Sequence, residues 1–242
     1  MKDSSRKFNI KGFQEVSLLE WEGKLTSILF LPGCNLCCPF CHAKSLIREA
    51  DKIETVPFER IQDYLNKKRG WLDAVAITGG EPTGHTWLPD LIDEIKVFNL
   101  EVMLQTNGTY PERIKPLLKI KKLDYITMDI KAPFTDAGQR YHKATASSIE
   151  IKKIRASIDL IISSGIDYEF RTTLVPGLIN TDDILSIAKK IKGAKKWCLQ
   201  QFSPKDTLDP AYLEIKPYPR KVLEEMVETA TGFVDTVIIR NE

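Results

Sequence analysis

Four cysteines fall within eight consecutive residues, Cys34-Asn35-Leu36-Cys37-Cys38-Pro39-Phe40-Cys41, just after an apolar run that ends at Leu31. Only one other cysteine, Cys198, occurs in the 242 residues, so the cluster is a placement and not general cysteine usage. Thiolates are ligands for soft metals, and the embedded C-x3-C-x2-C triplet of Cys34, Cys38 and Cys41 is incomplete for either metal that favours sulfur. Structural zinc takes four closed ligands, and a [4Fe–4S] cluster takes one protein ligand per iron. With three irons held by protein, the fourth stays open to an outside donor, and an electron carrier becomes a reaction site. Two other arrangements compete. Cys37 as a fourth ligand, with His42 as a fifth candidate, would make a zinc knuckle from the overlapping pairs Cys34/Cys37 and Cys38/Cys41. Adjacent Cys37 and Cys38 would then have to converge on one ion within a very short loop, whereas zinc patterns separate their ligand pairs by longer stretches. A disulfide fits less well, because the cysteine count is odd and the charged opening Met1–Lys7 lacks the apolar core of a signal peptide.

A loop this dense in thiols has to hang from a rigid frame. Short apolar runs at Leu25–Leu31, Ala74–Thr78, Val102–Gln105, Tyr125–Ile130, Glu169–Leu174 and Trp197–Gln201 predict parallel strands covered on both faces. Helical patterns lie between them. Leu88, Leu91, Ile92 and Ile95 share a face after Thr86, with Pro89 in the first turn, and Ile151, Ile154, Ile158 and Ile161 form a stripe ending at Gly165. Asn180 or Thr181 caps a helix whose first turn holds Asp182 and Asp183, and Val222, Leu223, Met226 and Val227 mark a last helix stopped near Gly232. Six β/α alternations with right-handed crossovers predict an α/β fold, a partial, open (β/α)6 barrel. Residues 1–242 read as one domain: an extension over 1–23 carrying Phe8, Ile10 and Phe13 in a strand or hairpin, a barrel core over 24–202, and a C-terminal helix with an edge strand over 203–242.

That topology gathers the polar residues of interest, because the carboxyl ends of parallel barrel strands form the reactive face. The cysteines follow the first strand, Gly79-Gly80-Glu81-Pro82-Thr83 the second, and Thr106-Asn107-Gly108 the third. Asp129 and Lys131 end the fourth, Arg171 runs into Val175-Pro176-Gly177 on the fifth, and Gln200-Gln201 end the sixth. Glycines without Cβ let a ligand approach the backbone at Gly79 and Gly80, where amide and carbonyl groups suit an ammonium or a carboxylate. Asp129 and Lys131 share a strand face as either a plug of the barrel or a ligand contact, and Arg171 is a candidate anion clamp through its planar fork. Phe40 packs the cysteine loop against the barrel. Cys37 reads as a buried spectator, Cys198 as core, and His42 as a neighbour of the metal site that leaves the open position free; His85 and His142 carry no spacing argument.

Lys plus Arg total 35 against 33 Asp plus Glu, a net charge of +2 that calls for neither nucleic acid nor membrane. The basic clusters at 115–122, 152–155 and 189–196 are broken by Ile, Leu or Ala and read as solvated helix faces. The longest apolar stretch, Ile28–Pro32, is far too short to cross a bilayer, and the expected setting is a reducing cytoplasm.

The C-x3-C-x-aromatic-C pattern of Cys34, Cys38, Phe40 and Cys41, joined to Gly79-Gly80-Glu81-Pro82, resembles the radical S-adenosylmethionine (SAM) superfamily, and the likeness extends over nearly the whole chain. The resemblance implies a radical SAM barrel with one [4Fe–4S] cluster on Cys34, Cys38 and Cys41, whose open iron chelates SAM. It further implies SAM contacts from Phe40, Gly79, Gly80, Glu81, Thr106, Asn107, Asp129, Lys131 and Arg171. Within the superfamily the chain is most similar to the activators of glycyl-radical enzymes, and there to the activating proteins of anaerobic ribonucleoside-triphosphate reductase. The implied partners are that reductase and an electron donor such as flavodoxin or ferredoxin. Alternatives are a pyruvate formate-lyase-type activase, or a radical SAM enzyme acting on a small molecule such as a modified nucleoside or deazapurine. A redox or zinc-binding module would leave Gly79–Pro82 unexplained. Some activases hold a monovalent cation beside an Asp at the strand end before the D-x-K; the matching residue here is Gln105, which weakens the case for a cation. Others carry a ferredoxin-like insert with further cysteines, which this sequence lacks. Many also read C-H-N where this chain has Cys41-His42-Ala43.

Replacing Cys34, Cys38 or Cys41 by Ala should abolish the broad visible absorbance of protein reconstituted with iron and sulfide, whereas Cys37→Ala should retain it. Loss in Cys37→Ala, or stoichiometric zinc in place of iron, would contradict the triplet.

Overall fold

The computed structural model describes residues 8–135 and 138–240; the opening Met1–Lys7 falls outside them. Eight strands form one sheet in chain order: β1 (Gly12–Ser17), β2 (Thr26–Leu31), β3 (Ala74–Gly79), β4 (Glu101–Thr106), β5 (Tyr125–Asp129), β6 (Asp167–Leu174), β7 (Lys196–Gln201) and β8 (Thr236–Arg240). β1 pairs antiparallel with β2, and each later strand lies parallel to the one before it. The sheet runs from β1 to β8 without closing on itself, so the partial barrel expected from the β/α count is present. The amino-terminal extension supplies β1. The expected edge strand is β8, whose parallel pairing with β7 makes it a seventh barrel strand.

Parallel neighbours in chain order require crossovers on one side, which here are the helices α1 (Lys44–Arg48), α2 (Phe58–Lys67), α3 (Leu88–Lys96), α4 (Pro111–Lys119), α5 (Gln139–Thr145), α6 (Ile151–Ile162), α7 (Thr181–Lys190) and α8 (Arg220–Ala230). One alternation of each strand packs under them: Leu29, Ile77, Leu104, Ile126 and Phe170 join Ile61, Ile92, Ile158 and Ile187 in the main core. Each fully buried Leu or Ile there contributes about 1.5–3 kcal/mol. The other alternation faces the barrel lumen. Low in the lumen Ile28, Ala76 and Met103 pack with Trp21, Phe30 and Tyr125, while Thr78, Gln105, Asp129, Arg171 and Thr173 line a polar upper cavity. No helix among the described residues is long and apolar enough to cross a membrane.

The turn between β1 and β2 closes the floor of the lumen. Glu20 accepts hydrogen bonds from Gln105 of β4 and Arg171 of β6, Trp21 packs on Tyr125 with ring centres 5.0 Å apart, and Glu22 pairs with Lys196 of β7 at 3.0 Å. An open barrel is thereby tied across its gap by a hairpin from its opposite edge. Helix ends follow local chemistry. Asn180 caps α7 by accepting from the Asp183 amide at 2.9 Å, and Asp183 accepts from the Asn180 amide at 2.9 Å, a reciprocal capping box. α3 begins at Leu88, after Thr86 and with Pro89 inside its first turn, as the sequence pattern predicts.

Above β3 the chain makes its tightest approach. Gly80 donates to Leu31 O at 2.8 Å and Glu81 to Gly33 O at 2.7 Å, fastening the β3 turn to the stem of the cysteine loop. A Cβ on Gly79, whose φ is +113°, would stand 2.3 Å from Leu31 O, and one on Gly80 would stand 1.8 Å from Gly33 O. Both positions therefore require glycine because backbone meets backbone, a reason beyond the ligand access expected from the sequence.

Asn180→Ala should lower stability by about 1 kcal/mol in chemical denaturation and leave iron uptake unchanged; a neutral change would show the cap to be idle. Gly80→Ala should displace Gly33 and impair cluster retention, while Gly84→Ala, with open space at its Cβ, should keep it. Equal iron content in the two variants would contradict the packing argument.

Candidate active site

The cysteine loop leaves β2 at Leu31 and is held on three sides. Its stem is bound to the β3 turn as above, and His85 Nε2 bonds Pro32 O at 2.8 Å while stacking on Trp87. Behind it, the Cys37 amide donates to Thr145 O (3.0 Å) and Ser147 Oγ (3.1 Å) at the end of α5. On the far side the segment after β7 crosses it: Asp209 donates to Pro39 O at 2.9 Å, and His42 Nε2 meets Ser203 O at 2.9 Å.

Held this way, Cys34, Cys38 and Cys41 line one cavity of about 260 Å³ at the carboxyl ends of the strands. Phe40, Gly79, Gly80, Thr106, Asn107, Asp129, Lys131 and Arg171 share its wall, so the residues expected at the site are gathered there with one exception. Glu81 is 2% exposed and turned behind the wall. Its carboxylate accepts from the Thr83 amide (3.0 Å) and hydroxyl, the Thr106 hydroxyl (2.7 Å) and the Asn107 amide (2.6 Å), locking the β3 and β4 turns together. Burial pushes the Glu81 carboxyl pKa up against the pull of those hydrogen bonds. Cys37, expected to be buried, is exposed, because the bonds of its amide to the α5 terminus belong to a loop that places its side chain outside the cavity wall. Cys198 is buried, but in the neighbourhood of Arg240, Glu169 and Arg171 and outside the main apolar cluster.

Burial raises the thiol of Cys34 to about 11 and that of Cys38 to about 12, and raises Cys41 as well. Without metal these groups hold their protons, so a metal that takes them as thiolates must displace protons. Lys131 stands ready beside them. Its ammonium pairs with Asp129 at 3.0 Å and lies 5.9 Å from the Phe40 ring centre. Burial disfavours the charged form, but Asp129, Cys38 and Cys41 outweigh it and hold the Lys131 pKa well above the ordinary lysine value. The expected D-x-K pair therefore forms on the cavity wall, with the Lys131 amide fixed by Tyr141 Oη at 3.1 Å.

Arg171 is buried, and much of its charge is answered below the cavity. Nε donates to Glu169 at 2.5 Å and Nη1 to Glu20 at 3.4 Å, while buried Nη2 has no hydrogen-bond partner. Glu169 also receives Arg240 at 3.2 Å and Lys196 at 3.6 Å. Although burial disfavours its charge, Arg171 and Arg240 hold the Glu169 pKa below the usual range. Gln105, set where a cation-binding Asp would stand, accepts from Thr78 Oγ1 at 2.6 Å and donates to Glu20. Sequence reading missed Glu20, Glu169, Tyr141 and Asn35. Only Glu169 left a signal, two residues from Arg171 on the same strand face.

The donor chemistry fits an iron–sulfur cluster. Three thiols share one cavity with a cation beside them, yet among the described residues no three or more His, Cys, Asp or Glu side chains gather as a single-ion site. Thiolates that each serve a different iron need no such convergence.

Residues 28–191 match the Radical SAM superfamily. A protein of Methanocaldococcus jannaschii with the provisional name glycyl-radical enzyme activating enzyme is 35% identical over 96% of this chain and 95% of its own length. A provisional GTP 3',8-cyclase of Methanococcus aeolicus is 27% identical over 70% of this chain and 57% of its own. Among solved structures, a radical SAM methyltransferase from Sphaerobacter thermophilus superposes with TM-score 0.66 at 14% identity, covering 91% of this chain and 67% of that one. SuiB of Streptococcus suis gives TM-score 0.61 at 16% identity over 89% of this chain, which spans about half of SuiB, 50%. At those identities the superpositions speak for the fold. With the cysteine triplet at the mouth of a partial barrel and the match running from β2 through β6, the chain belongs to the radical SAM superfamily.

Proposed function

We propose that this protein activates a glycyl-radical enzyme, with anaerobic ribonucleoside-triphosphate reductase as its partner. The observation that carries this is one cavity that joins three cluster-type cysteines to the polar strand ends, in a chain similar along its length to a provisionally named activating enzyme. In this reading Cys34, Cys38 and Cys41 would hold a [4Fe–4S] cluster, and the Gly79–Gly80 turn would contribute to binding SAM. When reduced by one electron, such a cluster would supply homolytic cleavage of the S–C5′ bond of SAM, the chemistry needed to remove a hydrogen from a partner glycine Cα.

The chain's own residues bind, orient and exclude. Lys131, with Asp129 beside it, supplies a fixed positive charge for the SAM carboxylate. Arg171 holds its unbonded Nη2 for that carboxylate or for the partner's backbone. Thr106 and Asn107, fixed by Glu81, set the wall beside the cluster cysteines. Phe40 covers the cysteine loop, and the floor closed by Glu20, Gln105 and Arg171 keeps water from entering through the barrel base. In this reading a polypeptide loop would reach the cavity beside Asp129, Thr173 and Gln200 at the ends of β5, β6 and β7. The sequence has cysteines for one cluster only, which favours the reductase and pyruvate formate-lyase types over activases with a ferredoxin-like insert. An electron from a flavodoxin- or ferredoxin-type donor completes the requirement.

Anaerobic protein with SAM and a low-potential reductant should release 5′-deoxyadenosine, and none without reductant. With the partner reductase present, an electron paramagnetic resonance doublet should develop on it and vanish when its glycine is replaced by Ala. Turnover of a free nucleotide, with deuterium passing into 5′-deoxyadenosine and no radical on the reductase, would move the protein to the small-molecule branch.

A further inference from the structure

Hydrogen bonds to cysteine sulfur withdraw charge from a thiolate-held cluster and raise its reduction potential. Two such bonds come from the loop itself: the Leu36 amide donates to Cys34 Sγ and the Ala43 amide to Cys41 Sγ, both at 3.4 Å. Cys34 receives a side-chain donor as well, Asn107 Nδ2 at 3.7 Å, from a different strand end.

The amide of Asn107 is oriented by its surroundings. Its Oδ1 accepts from the Thr109 amide at 3.0 Å and the Thr109 hydroxyl at 2.6 Å, and a backbone amide can only donate. Nδ2 is therefore turned to the other side, toward Asn35 Oδ1 at 3.0 Å and Cys34 Sγ. Asn35 Nδ2 donates in turn to Thr109 Oγ1 at 2.9 Å, closing a ring between the cysteine loop and the β4 turn. The Asn107 backbone is itself pinned by Glu81, and the residue is 5% exposed. Flipping the amide would set an oxygen against a sulfur and an oxygen, and an NH2 against a backbone N–H. The donor at Cys34 is preorganised.

We infer that Asn107 is a positioning residue that holds a hydrogen bond on the Cys34 thiolate and raises the reduction potential of the cluster. The inference rests on the cluster reading above. It concerns the step in which one electron passes from a low-potential reductant to the cluster, with no bond made or broken. Asn107 acts on the ease of that transfer and takes no part in the hydrogen abstraction.

The test is a redox titration of the reconstituted full chain, following the reduced cluster by electron paramagnetic resonance at fixed potentials. Asn107→Asp keeps the acceptor for Thr109 and replaces the donor by an oxygen; Asn107→Ala removes both. Each should lower the reduced-to-oxidised ratio at a given potential about tenfold, equivalent to about 59 mV for one electron. Asn35→Ala breaks the ring between the loops but leaves Nδ2 on Cys34, and its ratio should stay within about twofold of the parent. Unchanged ratios in the Asn107 variants, or an equal drop in Asn35→Ala, would overturn the inference in favour of simple loop tethering. Loss of iron from both Asn107 variants while Asn35→Ala retains it would also overturn it, by making Asn107 a requirement for assembly. A parent protein that holds zinc, or no reducible cluster, would instead refute the cluster reading itself.

Discussion

A backbone contact too close for a single methyl group joins the β3 turn to the stem of the cysteine loop, and the site depends on it. Gly79 and Gly80 lie against Leu31 and Gly33 so closely that any side chain would collide with a carbonyl. Hydrogen bonds from the Gly80 and Glu81 amides, at 2.8 and 2.7 Å, then set the height of the loop over the barrel. The Glu81 carboxylate carries the constraint onward by tying the β3 turn to Thr106 and Asn107. The thiols, the glycine turn and the Asn107 amide are thus one rigid unit, with hydrogen bonds that match its buried polar groups.

The barrel around that unit divides its lumen by chemistry. Apolar Ile28, Ala76 and Met103 fill the lower part beside β2–β4, whereas charged and amide side chains cross from β4 to β8. Breaking such a buried network from one side leaves an unpaired charge, a loss of about 3–5 kcal/mol, so Glu169 is poised to be as intolerant of change as the cysteines. Cations at Lys131 and Arg171 sit at two heights, one beside the thiols and one toward the floor.

Much of this was legible from residue order. The period of the apolar runs located the barrel strands, because parallel strands buried on both faces leave a continuous apolar signal. The cysteine triplet, Asp129, Lys131 and Gly79–Gly80 announced themselves by type and position at strand ends. Glu81 was read as facing the ligand, yet its chemistry is inward; a motif tells that a carboxylate is required and not which way it points. Glu20 was invisible because its partners, Gln105 and Arg171, are 85 and 151 residues away and meet it only once the hairpin folds under the barrel. Cys37 was misplaced because a tight loop next to a buried cysteine does not reveal which side chains its anchor at Thr145 turns outward.

The central claim is that Cys34, Cys38 and Cys41 hold a [4Fe–4S] cluster with one iron left for SAM. Mössbauer spectroscopy of protein reconstituted with iron-57 tests it most directly. One iron site in four should change its isomer shift when SAM is added, in a ratio of about three to one, as expected for a cluster with three protein-held irons. Four sites that ignore SAM, or a preparation in which the thiols hold zinc, would contradict the account.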